Sequence, residues 1–214
     1  MEHKTVSLAD QIFMELENNI LTGVYAIGEV FTEMNFSEKL GVSRTPIREA
    51  IRRLEQERLV DVTTKGIVIR GISPKDISDM YEIRIRTEGL ASAWAAKSIS
   101  EEGKKELIEI VELQEFYTVK KDIDNIKNMD SKFHEIVYQN CGSIVLSDML
   151  HQLHKKLAKY RKASVSYGDR AFQSTGEHRE ILNAILAGDG DLAEKLTIQH
   201  IKNAAKNMEK IKSE

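Results

Sequence analysis

Apolar residues recur at positions 6, 8, 12, 13, 16, 20 and 21. Steps of three and four predict a helix from Val6 to Leu21, capped by Thr5 or Ser7. Gly23 and Gly28 interrupt the pattern, and a short helix is predicted over 32–40. The next helix starts at Ser43, a good N-cap. Pro46 falls in its first turn, where a missing N–H has no helical partner to lose. Ile47, Ala50, Ile51 and Leu54 line one face of this helix, and Arg44, Arg48 and Arg52 line another. After Leu59 the period drops to two. The run LVDVTTKGIVIRGI alternates on both sides of Thr63-Thr64-Lys65-Gly66, which predicts a β-hairpin. A helix, a helix-turn-helix and a hairpin together describe a winged helix that ends near Gly71.

From Ser73 onward only helical periods occur. Ser73, Pro74 and Asp76 suit the N-cap, N1 and N3 positions of a helix. Helices are predicted over 74–98, 101–119, 122–140, 143–164, 172–187 and 190–211. Ser100, Ser143 and Asp191 are their expected caps, and Gly142 and Gly188 their stops. The predicted fold class is mainly α: a winged helix-turn-helix with a small hairpin wing over 1–71, then an all-α bundle over 72–214.

Composition narrows the functional classes. Cys141 is the single cysteine, so neither a disulfide framework nor a cysteine-based zinc site is available. The chain has no run of 18 apolar residues and no apolar core of a signal peptide at its start, so a cytoplasmic protein with no membrane partner is expected. The net charge is −3. Residues 1–71 alone hold nine Lys and Arg against eleven Asp and Glu. Any nucleic-acid surface must therefore be a local patch, and the helix after Ser43 is where cations concentrate.

A helix entering the major groove needs polar or cationic side chains near its N-terminus and an apolar face behind. Ser43, Arg44, Thr45 and Arg48 hold those positions. Arginine can make two bonds to guanine, and hydroxyls can hold phosphates. Lys65 at the hairpin tip could reach a phosphate or the minor groove, while Arg52 and Arg53, a turn further on, would touch only the DNA backbone. The competing reading is an ordinary solvated amphipathic helix.

In the helical half, Asp130 and His134 share one helix face. His178 and His200 sit among apolar residues at helical spacing, which turns them inward. One carboxylate and three imidazoles converging in a bundle would make a divalent-metal site; the alternative is four unrelated core or surface residues. His151 and His154 lie on the lysine-rich stretch HQLHKKLAKYRK, which predicts partial exposure to solvent or a subunit contact. Glu135 and Glu177, beside the candidate ligands in sequence, are expected to face elsewhere.

The segment LGVSRTPIREAIRRLEQERLV with its short wing resembles the DNA-binding domain of GntR-type transcription regulators. Arg84-x3-Glu88, Asp130-x3-His134, Glu177-His178 and AGDGDLAEKLTIQH resemble, over about 74–211, the FCD effector domain of the FadR-like subfamily. The resemblance implies a homodimer binding a short palindromic operator in double-stranded DNA. In it, Arg44 and Arg48 read bases, Ser43 and Thr45 hold phosphates, and Gly66 sits at the wing tip. It further implies one divalent metal ion per subunit on Asp130, His134, His178 and His200: zinc first, with nickel, manganese or iron as alternatives. A small carboxylate effector would bind beside it, paired by Arg84 and, as a second candidate, Arg161. Arg84 could instead form a salt bridge to Glu88. The chain departs from the family pattern at Thr32-Glu33-Met34-Asn35, where a basic residue is usual, at Ile27 in place of a proline, and at Ser143 in place of an asparagine. The expected protein is a metabolite-responsive transcription regulator, a repressor released or altered by its effector, and not an enzyme. Two other readings are a metal-dependent hydrolase or lyase carrying a winged helix, and a regulator whose helical domain only dimerises.

Overall fold

The computed structural model describes residues 6–166 and 169–213. The described residues form nine helices and three short strands: α1 (Leu8–Leu21), β1 (Val30–Phe31), α2 (Glu33–Leu40), α3 (Arg44–Gln56), β2 (Val60–Thr63), β3 (Gly66–Ile69), α4 (Pro74–Ser98), α5 (Glu101–Lys120), α6 (Ile123–Gln139), α7 (Ile144–Ser166), α8 (Arg170–Leu186) and α9 (Gly190–Ser213). They divide into two units, Met1–Pro74 and Lys75–Glu214. None of the helices is long and apolar enough to cross a membrane.

In the first unit Ser7 caps α1, its hydroxyl accepting from the Asp10 amide at 3.1 Å; Thr5 lies outside the described residues. Thr32 and Asn35 close a capping box on α2, with bonds of 2.8 and 3.1 Å. Gly41, in the left-handed conformation at φ 67°, ends α2 and lets the chain turn into α3. The predicted apolar face of α3, Ile47, Ala50, Ile51 and Leu54, is buried with Leu16 of α1 and Phe36 of α2. Arg53 departs from expectation. It forms an ion pair with Asp10 of α1 and lies 4.0 Å over the Phe13 ring, so it holds two helices together instead of facing outward.

The hairpin is present with β2 and β3 antiparallel, Thr63 facing Gly66. A third strand, β1, adds on the other side of β3, giving the order β1-β3-β2. Two residues are too few to show an alternating pattern, which is why the sequence does not announce β1. Gly66 has φ 125°, and a Cβ there would stand 2.6 Å from the Phe31 carbonyl oxygen. The close approach of β1 therefore requires glycine at this position whatever the wing touches.

The second unit is a bundle of α4–α9. Its apolar core includes Leu107 and Val111 of α5, Phe133 and Val137 of α6, Ile181, Leu182 and Ile185 of α8, and Ala193 of α9. Ser100 and Ser143 accept from the amides of Gly103 and Leu146, as predicted for caps. Asp189, not Asp191, caps α9: its Oδ1 accepts from the Leu192 amide at 3.0 Å. Gly188, at φ 71°, turns the chain just after α8, and α9 begins two residues earlier than the Asp191 reading assumes.

Candidate functional site

Asp130 and His134 on α6, His178 on α8 and His200 on α9 meet inside the bundle. Each is at least 96% buried, with exposures of 4%, 3%, 0% and 3%. One donor atom from each lies within 4.8 Å of all the others. The Nε2 atoms of His134 and His200 are 3.2 Å apart, and those of His178 and His200 3.4 Å. Every Nδ1 faces an acceptor. His134 Nδ1 is 2.9 Å from Glu88 Oε2, His178 Nδ1 is 2.8 Å from Gln114 Oε1, and His200 Nδ1 is 2.6 Å from Glu177 Oε2. With the Nδ1 protons of His178 and His200 assigned to Gln114 and Glu177, and that of His134 to the nearby Glu88, each Nε2 turns a lone pair toward the centre. Lone pairs that close repel unless a cation lies between them. Ligand bonds of about 2.0–2.1 Å at tetrahedral angles would set donor nitrogens about 3.3 Å apart, close to the spacing here. The donor set fits a borderline divalent ion.

Glu177 thus does not face elsewhere, as its place in the sequence suggested. It lies one position from His178 and orients His200 across the helix pair. Asp130 is held on both oxygens: Ser174 Oγ donates to Oδ1 at 3.0 Å and Arg161 Nη2 to Oδ2 at 2.9 Å. Phe133 stacks on the His178 ring with centroids 4.0 Å apart.

A narrow cleft adjoins these donors, lined among others by Tyr81, Arg84, Arg161, Arg170, His134 and His200. Arg84 is bound to Glu88, both 1% exposed, so the salt-bridge reading of Arg84 describes part of it. Its Nη1 remains buried without a partner, as do Tyr81 Oη and Arg170 Nη1. Three unsatisfied donors on one cleft, each costing about 1–3 kcal/mol, make a cradle for an acceptor-rich anion. Arg161 lines the cleft too, and its guanidinium also bonds Asp130 and His154. The arginine that the sequence reading missed is Arg170, which also donates to Glu177 at 2.6 Å. Its signal was present: Arg170, Ser174 and His178 fall at i, i+4 and i+8 on α8. Tyr81, Arg84 and Glu88 make a similar stripe on α4.

His154 is 7% exposed, not the surface residue its lysine-rich neighbourhood suggested. Helix α7 turns the lysines one way and His154 with Arg161 the other. His151 stays half-exposed, its ring bonded to the Ser147 carbonyl at 2.8 Å.

Burial, reinforced by Arg161, drives the pKa of His134 well below 6.5. Burial and the neighbouring His200 do the same to His178. Burial with Arg161 and Arg84 lowers His154 to about 2. In the unfolded chain these rings protonate near 6.5; in the fold they stay neutral. Stability is therefore fully present above pH 6.5 and falls as pH drops, because the unfolded state binds more protons. Each ring contributes about 1.4 kcal/mol per pH unit. For Glu177, burial raises the pKa, but bonds from His200 and Arg170 hold it at about 2, well below the window from pH 6.5 to 4.5. Urea denaturation of chelator-treated protein is expected to show a flat profile above pH 7 and a steep decline between 6.5 and 4.5. A profile flat through that window would mean that the imidazoles are hydrated.

In the first unit, Ser43, Arg44, Thr45, Arg48, Arg52 and Lys65 are all exposed. Ser43 takes the N-cap position of α3, but its hydroxyl makes no capping bond. Lys65 lies in the two-residue turn between Thr63 and Gly66. Arg48 is clasped by Glu33 of α2, with Nε and Nη2 bonded to the two carboxylate oxygens at 2.9 and 2.8 Å.

Known proteins place this architecture. Residues 8–68 match the gntR family of bacterial regulatory proteins, and residues 79–203 match the FCD domain. An HTH-type transcriptional regulator of Bacillus subtilis strain 168, YdhC, is 26% identical over 211 residues, covering 95% of this chain and 92% of that protein. The HTH-type transcriptional repressor RspR of Escherichia coli K12 is 24% identical over 211 residues, covering 98% of this chain and 92% of that one. The solved structure of E. coli McbR/YncC superposes with a TM-score of 0.75 at 21% identity, covering 97% of this chain and all of that one (100%), and shows the same fold. The chain belongs to the FCD-domain group of the gntR family, whose members are DNA-binding transcription regulators and not enzymes.

Proposed function

We propose that the protein is a metabolite-responsive repressor that binds a palindromic operator as a dimer. Its helical unit senses a small carboxylate beside a divalent cation, zinc first among the candidates. The observation that carries this reading is the histidine arrangement, in which three Nε2 lone pairs and Asp130 converge beside a cleft that leaves three donors unpaired. Bound there, a divalent ion supplies a Lewis-acid contact for an effector oxygen. The chain itself does the selecting. Arg84 and Arg170 offer their outer N–H groups to a carboxylate. Tyr81, whose pKa burial raises, keeps its proton and donates it.

On the DNA side, Arg44 and Arg48 read bases, Ser43 and Thr45 hold phosphates, and Arg52, Lys65 and the Gly66 turn follow the backbone. A single winged helix offers little surface, so two copies reading two half-sites gain both affinity and specificity. Ile144, Val145 and Met149, exposed along one side of α7, give the helical unit an apolar face that a second copy would cover. The effector must favour one arrangement of the dimer over another to act at all. Helix α4 carries Tyr81, Arg84 and Glu88 and follows the wing with only four residues between, Arg70 to Ser73. An anion drawn onto α4 therefore acts on a helix tied closely to the DNA-binding unit.

The test uses a duplex enriched by the full chain from a random pool. Zinc-loaded protein is titrated with small hydroxy acids, sugar acids and dicarboxylates while operator affinity is followed. One class is expected to change it about 5- to 150-fold, and Arg170→Ala is expected to abolish the response without changing basal DNA binding. A response unchanged in Arg170→Ala would move the effector elsewhere, and no response from any acid would leave the helical unit as a dimerisation module.

A further inference from the structure

The clasp between Glu33 and Arg48 crosses the helix-turn-helix, and its geometry leaves a particular edge of the arginine free. Glu33 is the first residue of α2, where the helix N-terminus favours a carboxylate, and the Thr32–Asn35 capping box fixes that end of the helix. Arg48 lies one turn into α3. Its Nε and Nη2 each meet a different oxygen of Glu33, at 2.9 and 2.8 Å. This spends the inner edge of the guanidinium. Of the five N–H groups in the arginine fork, Nη1 and the second N–H of Nη2 form the outer edge, whose spacing matches O6 and N7 of guanine. The Arg48 side chain is 57% exposed and that of Glu33 34%, so the pair sits at the surface with the outer edge available. Arg44 and Arg52 also act electrostatically on Glu33, which places one carboxylate among the three arginines of this face.

A carboxylate on a DNA-facing surface is costly for affinity, since it repels phosphates. Unless it does something else, its removal should improve binding to any DNA. We propose that Glu33 is a positioning residue for base reading: it pins Arg48 so that the free outer edge meets guanine, and it sets sequence preference at the expense of general affinity. This rests on the reading of Arg48 as a base contact.

The two effects of Glu33 have opposite signs on two kinds of DNA, which makes them separable. The duplex enriched by the wild-type chain is compared with an unrelated duplex of equal length and with single-base-pair variants of itself. Glu33→Ala is expected to bind the unrelated duplex about 2- to 10-fold more tightly at low salt. It should bind the enriched duplex about 10-fold more weakly, a share of the discrimination that one bidentate contact supplies. The relaxed base pair should be the one that Arg48→Ala relaxes, and Glu33→Ala added to Arg48→Ala should cost the enriched duplex nothing more. Glu33→Gln, which keeps one acceptor oxygen, should retain an intermediate preference. If Glu33→Ala tightens both duplexes alike, or relaxes a different base pair, Glu33 is a bystander charge while the base-reading role of Arg48 stands. If Arg48→Ala itself keeps the wild-type preference, the base-reading assignment fails and takes this proposal with it. Thermal unfolding of each variant at wild-type temperature shows that the fold is intact.

Discussion

Purified without chelator or affinity tag, the wild-type chain is expected to carry one divalent ion per subunit in native mass spectrometry, and Asp130→Ala/His134→Ala to carry none. The size of the effect follows from how the donors are held. A free imidazole must choose a tautomer, turn its ring and leave water before it can bind a metal. Here burial has already dried the rings, and Glu88, Gln114 and Glu177 face each Nδ1, so those costs were met on folding. The same orientation leaves Nε2 lone pairs 3.2 and 3.4 Å apart, an arrangement that is unfavourable without a cation. Replacing a partner and leaving the ligand in place should weaken binding about 10- to 100-fold, so Gln114→Leu or Glu177→Gln should shift a zinc titration without removing the site. Metal at about 1,000 times its dissociation constant should add about 4 kcal/mol to the stability of the helical unit. A metal-free protein that takes up none on addition would reduce the four residues to a buried polar cluster, with the DNA-binding unit unaffected.

The second large effect is expected at Arg84. Alanine there should destabilise the protein by about 3–5 kcal/mol, because it removes the guanidinium that balances the buried charge of Glu88. Burial alone would raise the Glu88 pKa, yet Arg84 and then Arg161 overrule it and hold the carboxylate below its usual value. Without Arg84 that balance reverses, and Glu88 must either take up a proton or draw water into the bundle. The double variant Arg84→Met/Glu88→Leu, which removes both charges and keeps the volume, should recover most of the loss. The exposed pair Lys75–Asp79 on the same helix provides the contrast: both partners are solvated, and breaking it should leave the unfolding midpoint where it was. Equilibrium unfolding of these three variants beside the wild type decides the matter. If Arg84→Ala costs no more than a surface substitution, Glu88 is hydrated and Arg84 is free for the effector alone.

These effects also mark how far local pattern reaches. Helical and strand periods, cap residues and glycine stops are properties of neighbours in the chain. The winged helix, the bundle and the inward face of α3 could accordingly be read before any fold was known. Asp130 and His134 could be paired because one turn of helix brings them together. Their meeting with His178 and His200 was an inference from inward-facing stripes and a family likeness, and periodicity alone has no means of saying which stripes meet. Most of the misread residues depend on which helices pack together. Glu177 neighbours His178 in sequence, yet it orients His200 on another helix. His154 shares a stretch with lysines, yet α7 carries it inward to Arg161. Arg53 belongs to the arginine helix, yet Asp10 and Phe13 of α1 hold it. Tyr81 and Arg170 stood on legible stripes, but the cleft that leaves their polar atoms unpaired exists only between packed helices.

The amino-acid sequence on its own determined the helices, the β2–β3 hairpin, their order and the face on which α3 carries its arginines, because those follow from the local geometry of the backbone and the side-chain period. The assignment of Glu33 to Arg48, of three acceptors to three imidazoles and of unpaired donors to one cleft arose only from packing, because hydrogen bonds between helices depend on distances that no spacing along the chain encodes.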